Sequence, residues 1–484
     1  MTKDLITDTD QPPQEESLTQ MSKNLARVAI PIIVGQIFSM FVEMLNLVFA
    51  GHLGDPVFVA AAGLGNMYAN VTCLLVIYGL NSAIATLVSQ AYGSGNLRKA
   101  GIYLNKGRIA ILLFFIPIFG LMFLCETFLL ALRMDPETAR QAQVYTYGLV
   151  VALFFQAQFD ATRQYLNALQ KSQVITNIMI FSSFFHCGVL YIMVIKLEMG
   201  IIGASVGTII TYFLNTIIVT VYCKLNEDLK ESFFFPTLEC FENLWEYFSM
   251  GLPSSAMISL EWWSFEIQAI LASYISVVAV GSMVILINTL TVLAMIPFGA
   301  QIAAAVFVGK SMGEGNAKKG QTYTKLIVIY TFLICILCSV CLVYFNETIA
   351  RIFTNNDQLL AMTIENYKYI AIFLIVHGIG MSVGGGLRGI GKQSVATWLI
   401  FAGFFLFGHP VSVLLGFYFD LGMKGLIFGF CIGSFAMGFF YLINLVFLTD
   451  WQARAIAIRK KMRDDLHDQK LMVNNPDLKA NLLH

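Results

Sequence analysis

Charge is scarce in this sequence. Only 12% of its 484 residues are Asp, Glu, Lys or Arg, whereas soluble domains carry about 25%. A chain so poor in charge cannot keep the surface of a soluble globule wetted. The two signs balance, 30 against 30, so the basic excess that marks nucleic-acid binders is absent. The first 24 residues have no apolar core and no small-residue cleavage site, so no cleavable signal peptide is expected. They are polar and acidic, with Pro12-Pro13, and are expected to be a disordered tail. The nine cysteines do not form a disulfide framework. Cys335, Cys338 and Cys341 share a metal-like spacing, but their run is apolar and has no flanking His or Asp, so they read as small packing residues. No His pair stands at i, i+4. GSGNLRKAG and GEGNAKKG lack the GxxxxGK[ST] spacing of a phosphate loop and read as turns. No Ser/His/Asp or Cys/His set appears. The expectation is a protein that is not an enzyme and has no cofactor, no metal and no nucleic-acid partner.

What the chain has is apolar runs. Residues 109–124 and 277–307 carry no charge, and 28–50 carry only Glu43. About 20 such residues cross a bilayer core of roughly 30 Å. The runs predict twelve spans: 28–50, 62–88, 108–129, 145–162, 173–195, 201–223, 248–274, 279–307, 323–345, 367–385, 394–416 and 424–448. Basic residues cluster after even-numbered spans, at Arg98, Lys99 and Lys106, Arg163 and Lys171, Lys310, Lys318 and Lys319, and Arg388 and Lys392. The C-terminal tail adds Arg454, Arg459, Lys460, Lys461 and Arg463. By the positive-inside rule, both termini face the cytosol.

The chain also repeats itself. Gly93, Gly95, Asn96, Lys99 and Tyr103 fall on Gly313, Gly315, Asn316, Lys319 and Tyr323 at an offset of 220. At 222, Pro31 falls on Pro253, Asp135 on Asp357, and Gly200, Gly203 and Gly207 on Gly422, Gly425 and Gly429. Six spans per repeat is an even number, so both copies insert the same way round. They are then related by an axis along the membrane normal, with a cleft between them. The expected organisation is a tail (1–24), an N-lobe (25–223), a cytosolic linker (224–247), a C-lobe (248–450) and a cytosolic C-terminal tail (451–484).

Polar residues inside spans carry the functional information, because a charge at mid-bilayer costs about 2.5–3.5 kcal/mol on insertion scales. Span seven holds Glu261 and Glu266, ringed by Trp262, Trp263 and Phe265. Five residues turn a helix by about 140°, so the two carboxylates cannot point the same way. A carboxylate among aromatics suits a cation, through Coulomb attraction and cation–π contact; the alternative is a polar network that only packs the helix. Glu43 in span one either joins the cleft or reaches water. Gln36, Asn46, Asn70 and Asn288 are hydrogen-bonding candidates whose commoner role is helix–helix contact. His186, His377 and His409 stand in or near spans as packing or titrating groups.

Several segments resemble the multidrug and toxic compound extrusion (MATE) family. They are Pro31 with Gln36, GHLGD (51–55), SQAYGSG (89–95), GASVGTIITYFLN (203–215), LEWWSFE (260–266), IPFG (296–299) and GLRGIGKQ (386–393). The resemblance covers about 25–450. It implies an all-α integral membrane fold of twelve helices in two six-helix lobes forming a V. It also implies export of small organic compounds in exchange for protons or sodium ions. The family's essential span-seven acid maps onto Glu261 and a second acid onto Glu266, while Gln36 and Asn70 match polar N-lobe positions. Asn288 and His377 stand where many relatives carry acids, and Ala85 replaces another.

The expected protein is a secondary antiporter for small, cationic organic compounds, coupled to protons, with sodium as the alternative ion. Proton and substrate compete at Glu261 while the lobes rock between two open states. A lipid or oligosaccharide flippase of the same architecture would line its cleft with basic residues, whereas the mid-membrane charges here are acidic; the absence of a catalytic set and the two-fold repeat weigh against a non-transporting receptor or membrane enzyme. A monomer in a lipid bilayer is expected, in the plasma membrane or that of a vacuole or other acidic organelle. NET (346–348) is a glycosylation sequon after span nine. A cysteine at Asn346 is expected to react with impermeant reagent from the non-cytosolic side. Labelling from the cytosol would overturn the topology.

Overall fold

The computed structural model describes residues 16–51 and 56–474. Most of GHLGD and both chain ends, 1–15 and 475–484, lie outside the described residues. Twelve long helices form the body: α1 Leu18–Gly51, α2 Ala60–Gly93, α3 Leu97–Met122, α4 Pro136–Ala168, α5 Ser172–Lys196, α6 Gly200–Leu225, α7 Leu244–Ser273, α8 Val277–Gly313, α9 Ala317–Tyr344, α10 Asp357–Gly389, α11 Gln393–Tyr418 and α12 Gly422–Val446. Ten are long and apolar enough to cross a membrane. The other two, α4 with 33 residues and α7 with 30, are also long enough at about 1.5 Å per residue. Each carries buried charge, Asp160 and Arg163 in α4 and Glu261 in α7. A further long helix, α13 Trp451–Asn474, follows.

The helices outrun the expected spans at the end of the bundle where the described residues begin and α13 packs. Residues 18–24, expected in the tail, form the first turns of α1. Met21 and Leu25 bury there against Ala303, Phe307 and Tyr323 of α8 and α9. Glu16, just before α1, bonds Lys319 at 2.9 Å and accepts from the Tyr323 hydroxyl at 3.0 Å. Partial burial pushes its carboxyl up, but Lys319 and Tyr323 outweigh that and hold it below the usual range. Lys106, Arg163 and Arg388, assigned above to loops, are buried inside α3, α4 and α10. Long stems and available partners let these helices run on past the apolar stretch.

The GSGN and GEGN segments are turns. Gly95 and Gly315 take φ of 79° and 76°, a left-handed conformation that costs glycine nothing. Asn96 and Asn316 then cap α3 and α9 by accepting from the Lys99 and Lys319 amides at 2.9 Å.

Each lobe has its own apolar core, one running from Ala50 to Tyr247 and the other from Met257 to Ala455. Between them the repeat shows as reciprocal contacts. Gly93 of α2 packs on the Lys310 carbonyl of α8, and Gly313 of α8 packs on the Gln90 carbonyl of α2. Deeper in, Gly79 of α2 packs on Ser255 of α7, and Gly299 of α8 packs on Ile33 of α1. Each pair maps onto the other at the repeat offset. Further ties are Gln90 Nε2 to the Gly389 carbonyl (3.0 Å), Gln393 to Thr86 (3.2 Å), Tyr247 to the Leu80 carbonyl (2.6 Å) and Ser255 to the Val76 carbonyl (2.9 Å). α13 spans the same face. Trp451 and Ala455 enter the C-lobe core and Met462 the N-lobe core, while Lys461 bonds Glu246 and Asp465 bonds Lys99.

Eleven residues make about three helical turns and return to the same face. Three turns beyond Ser255, Glu266 is exposed, and three turns beyond Gly299, Asn288 is exposed. The lobes therefore separate away from the α13 face, leaving a cleft closed at that end. A side chain at Gly93 would collide with the Lys310 backbone. Gly93→Val is expected to hold the lobes apart there. Spin labels on loops 94–96 and 314–316 should report a longer distance than in the wild type; an unchanged distance would refute the wedge.

Candidate functional site

Glu261 lies on the C-lobe side of α7, almost wholly enclosed. Its Oε1 is 3.1 Å from Nε2 of His377 on α10, and His377 Nδ1 is 3.3 Å from the Ser434 hydroxyl of α12. Aromatic rings enclose the pair. Phe373 stacks on His377 with centroids 4.9 Å apart, and Phe265 meets it edge-on at 6.0 Å. Phe430 stacks on Phe373 at 4.5 Å, and Phe404 closes the far side. Arg388, one helical face along α10, is buried within electrostatic reach of Glu261. Its Nη1 donates to Gln301 at 2.8 Å. Carboxyl, imidazole and guanidinium are thus all buried within the C-lobe, where Coulomb forces act with little screening.

The N-lobe has a different chamber. Asp160 and Arg163 of α4 pair through Nε and Oδ1 at 2.8 Å. Asn81 of α2 donates to Asp160 at 2.8 Å, and Gln36 of α1 accepts from Arg163 Nη1 at 2.6 Å. Asn81 is the repeat partner of Gln301, so the same position anchors a charged residue in each lobe. Glu43 stands on the Gln36 face of α1, within electrostatic reach of Tyr78, Tyr145 and Tyr212.

The remaining candidates scatter. Trp262 is half-buried on the cleft side of α7, between Glu261 and Glu266. Trp263, expected beside the carboxylates, is 42% exposed on the outer face with Leu252 and Ile270, because one residue turns a helix by about 100°. Asn288 faces the cleft and donates only to its own helix, at the Val284 carbonyl. Asn70 is half-buried where α2 makes a π-helical turn. Asn46 is away from the cleft. It donates to Thr208 at 2.9 Å and meets His186 at 3.2 Å, joining α1, α5 and α6. His409 lies two turns beyond the Glu261–His377 level, beside Gln268 at 3.3 Å and behind Phe404 and Phe430. It lines an open apolar groove of about 800 Å³ between α7 and α11.

The MatE family pattern matches this chain twice, over residues 31–192 and again over 253–414. The chain belongs to the MATE family. The two matched segments begin 222 residues apart, the offset already seen from Pro31 to Pro253. Among its relatives is multidrug and toxin extrusion protein 2 of Mus musculus, 30% identical over 93% of this chain and 78% of that protein. Another is protein DETOXIFICATION 14 of Arabidopsis thaliana, 24% identical over 96% of each. A crystal structure of a eukaryotic MATE transporter superposes with a TM-score of 0.88 at 24% identity, covering 92% of this chain and all of that one. A MATE transporter in an outward-facing conformation gives 0.81 at 17% identity, covering 91% and 97%. The chain is therefore a multi-pass membrane transporter of the MATE fold, not an enzyme.

Within this MATE chain, sequence reading missed the Asp160–Arg163 pair and the burial of Arg388. One signal was available. Asp160 and Arg163 are opposite charges at i, i+3 at the end of span four, a spacing that places them on one helix face. Removing one partner of a buried pair leaves the other uncompensated and costs about 3–5 kcal/mol. Asp160→Ala is expected to lose about that much stability in detergent unfolding, with part recovered in Asp160→Ala/Arg163→Met. A single variant as stable as the wild type would refute the pair's role.

Proposed function

We propose that this MATE transporter exports small organic cations by exchange with protons, and that Glu261 is the carboxylate the two contest. The observation that carries the reading is the enclosed Glu261–His377 contact at 3.1 Å, walled by Phe265 and Phe373. Protonated His377 occupies the anion and repels a cation; neutral His377 leaves the carboxylate to attract one. Proton and substrate thereby exclude each other without touching. Aromatic walls add cation–π attraction and set no size rule, which fits a broad substrate range. The names of the animal relatives, multidrug and toxin extrusion proteins, support the same class.

Closure at the α13 face, with exposed Glu266 and Asn288 facing the cleft, supports an outward-open state if that face is cytosolic. The positive-inside pattern supports that orientation: Arg98, Lys99, Lys171, Lys318, Lys319, Lys392 and the basic α13 gather at that face. A cation shifts such a two-state balance only through different affinity for the two states, and breaking the His377 contact supplies that difference.

The test is uptake into proteoliposomes of labelled tetraethylammonium, with and without a pH gradient and with a sodium gradient in its place. Glu261→Gln keeps size and hydrogen bonding but loses the charge. Its pH-driven transport is expected to fall at least about tenfold, the worth of one charged hydrogen bond. His377→Gln should flatten the pH profile. Wild-type rates from folded Glu261→Gln would end this reading, and drive by sodium alone would change the coupling ion.

A further inference from the structure

His377 has a second polar contact that proton exchange at Glu261 does not use. Its walls are rings: Phe373 stacks on it at 4.9 Å, and Phe265 and Phe404 meet it edge-on at 6.0 and 6.2 Å. Rings fix the plane of an imidazole but bond neither nitrogen. The nitrogens have one partner each. Nε2 faces Glu261 Oε1 at 3.1 Å, and Nδ1 faces the Ser434 hydroxyl of α12 at 3.3 Å. His377 is 1% exposed and Ser434 fully buried, so bulk water reaches neither group, and a polar atom left unmet there is costly.

The repeat argues that the hydroxyl is more than packing. At the offset of 222, Glu261, His377 and Ser434 fall on Ser39, Phe155 and Tyr212. Phe155 and Tyr212 pack in one apolar cluster, so the two positions meet in both lobes. In the N-lobe a large ring fills the α6 position. In the C-lobe a hydroxyl stands there, opposite an imidazole. Acid, imidazole and hydroxyl occur together in the C-lobe alone.

A neutral imidazole has one N–H and one bare nitrogen, whereas the imidazolium has two N–H groups. With Nε2–H directed at the Glu261 carboxylate, the neutral ring leaves Nδ1 bare, and the Ser434 hydroxyl donates to it. A hydroxyl also carries two lone pairs, so it can turn and accept once Nδ1 takes a proton. Its own hydrogen then goes to the Phe430 carbonyl four residues back on α12, a common partner for a serine inside a helix. The other groups near the ring cannot take this part. Arg388 and Tyr441 lie within electrostatic reach of Glu261, Cys335 of α9 packs behind Gly378, and His409 of α11 lies behind Phe404. Gln301 of α8 is taken by Arg388.

We propose that Ser434 is a positioning residue for the exchange site: its hydroxyl donates to neutral His377 and accepts from protonated His377, holding the ring against Glu261 in both charge states. The inference rests on the Glu261 reading. The arriving proton goes to Nδ1, the hydroxyl keeps its hydrogen, and no other covalent bond changes.

The full chain is labelled with nitrogen-labelled histidine, reconstituted in proteoliposomes and titrated by solid-state NMR, with His377→Gln identifying the His377 signals. Ser434→Ala is expected to lower the ratio of imidazolium to imidazole at a given pH about tenfold, the difference between losing a charged and a neutral hydrogen bond. The pH profile of tetraethylammonium uptake should move toward acid by about one unit, the equivalent of tenfold. Ser434→Cys, close in size but a weak hydrogen bonder, should do the same. Ser434→Thr, which keeps the hydroxyl, should restore both readouts. A role in packing alone would change stability in these variants and leave the ratio untouched. The proposal is overturned if folded Ser434→Ala keeps the wild-type ratio, or if folded Ser434→Thr shifts it as Ser434→Ala does. A lowered ratio in Ser434→Ala, with uptake indifferent to pH in wild type and His377→Gln alike, would end the exchange reading and leave the hydroxyl's hold on the ring standing.

Discussion

The structure depends on backbones of opposite lobes meeting without side chains between them. In lipid, helices gain nothing from mere apolarity, and close approach through small residues supplies the contact. Here the approach is reciprocal, Gly93 on Lys310 and Gly313 on Gln90, then Gly79 on Ser255 and Gly299 on Ile33. One duplicated pattern produces both halves of each contact, so a single set of glycines builds the closed face. It also makes that face separable. The contacts are small, repeated and polar at their margins, where Gln90, Gln393 and Thr86 hydrogen-bond across the seam.

The first halves of α1 and α7 cross to the opposite lobe. Met21 and Leu25 bury against α8 and α9, and Tyr247 enters the N-lobe core. Any motion that opens the closed face therefore drags on the helix that carries Glu261. α13, with Trp451 in one core and Met462 in the other, adds a strap over the same seam. Coupling between the carboxylate and the face needs no long pathway, because α7 reaches both.

Symmetry stops at the charges. Asn81 and Gln301 keep equivalent anchoring posts, yet Asn81 holds an acid and Gln301 a base. The N-lobe pairs Asp160 with Arg163 internally. The C-lobe sets Glu261 against His377 and within electrostatic reach of Arg388. Equivalent positions in the two repeats thus hold different chemistry.

Much of this was written in the sequence. Twelve spans, a two-fold repeat and the turn role of GSGN and GEGN follow from apolar length, residue offsets and the needs of helix ends. All of these are local or one-dimensional properties. Glu261 stood out for the same reason, since a charge inside an apolar run is conspicuous without any fold. Only the tertiary structure decided which polar residues meet. His377 is 116 positions from Glu261 in the chain yet 3.1 Å from it in space, and no periodicity encodes that distance. Trp263 turned outward and Asn46 joined His186 because helix rotation is set by packing against neighbours. Arg163 and Arg388 were read as loop cations because burial depends on partners, Asp160 for one and Gln301 for the other, that come from elsewhere on the helix or from another helix altogether.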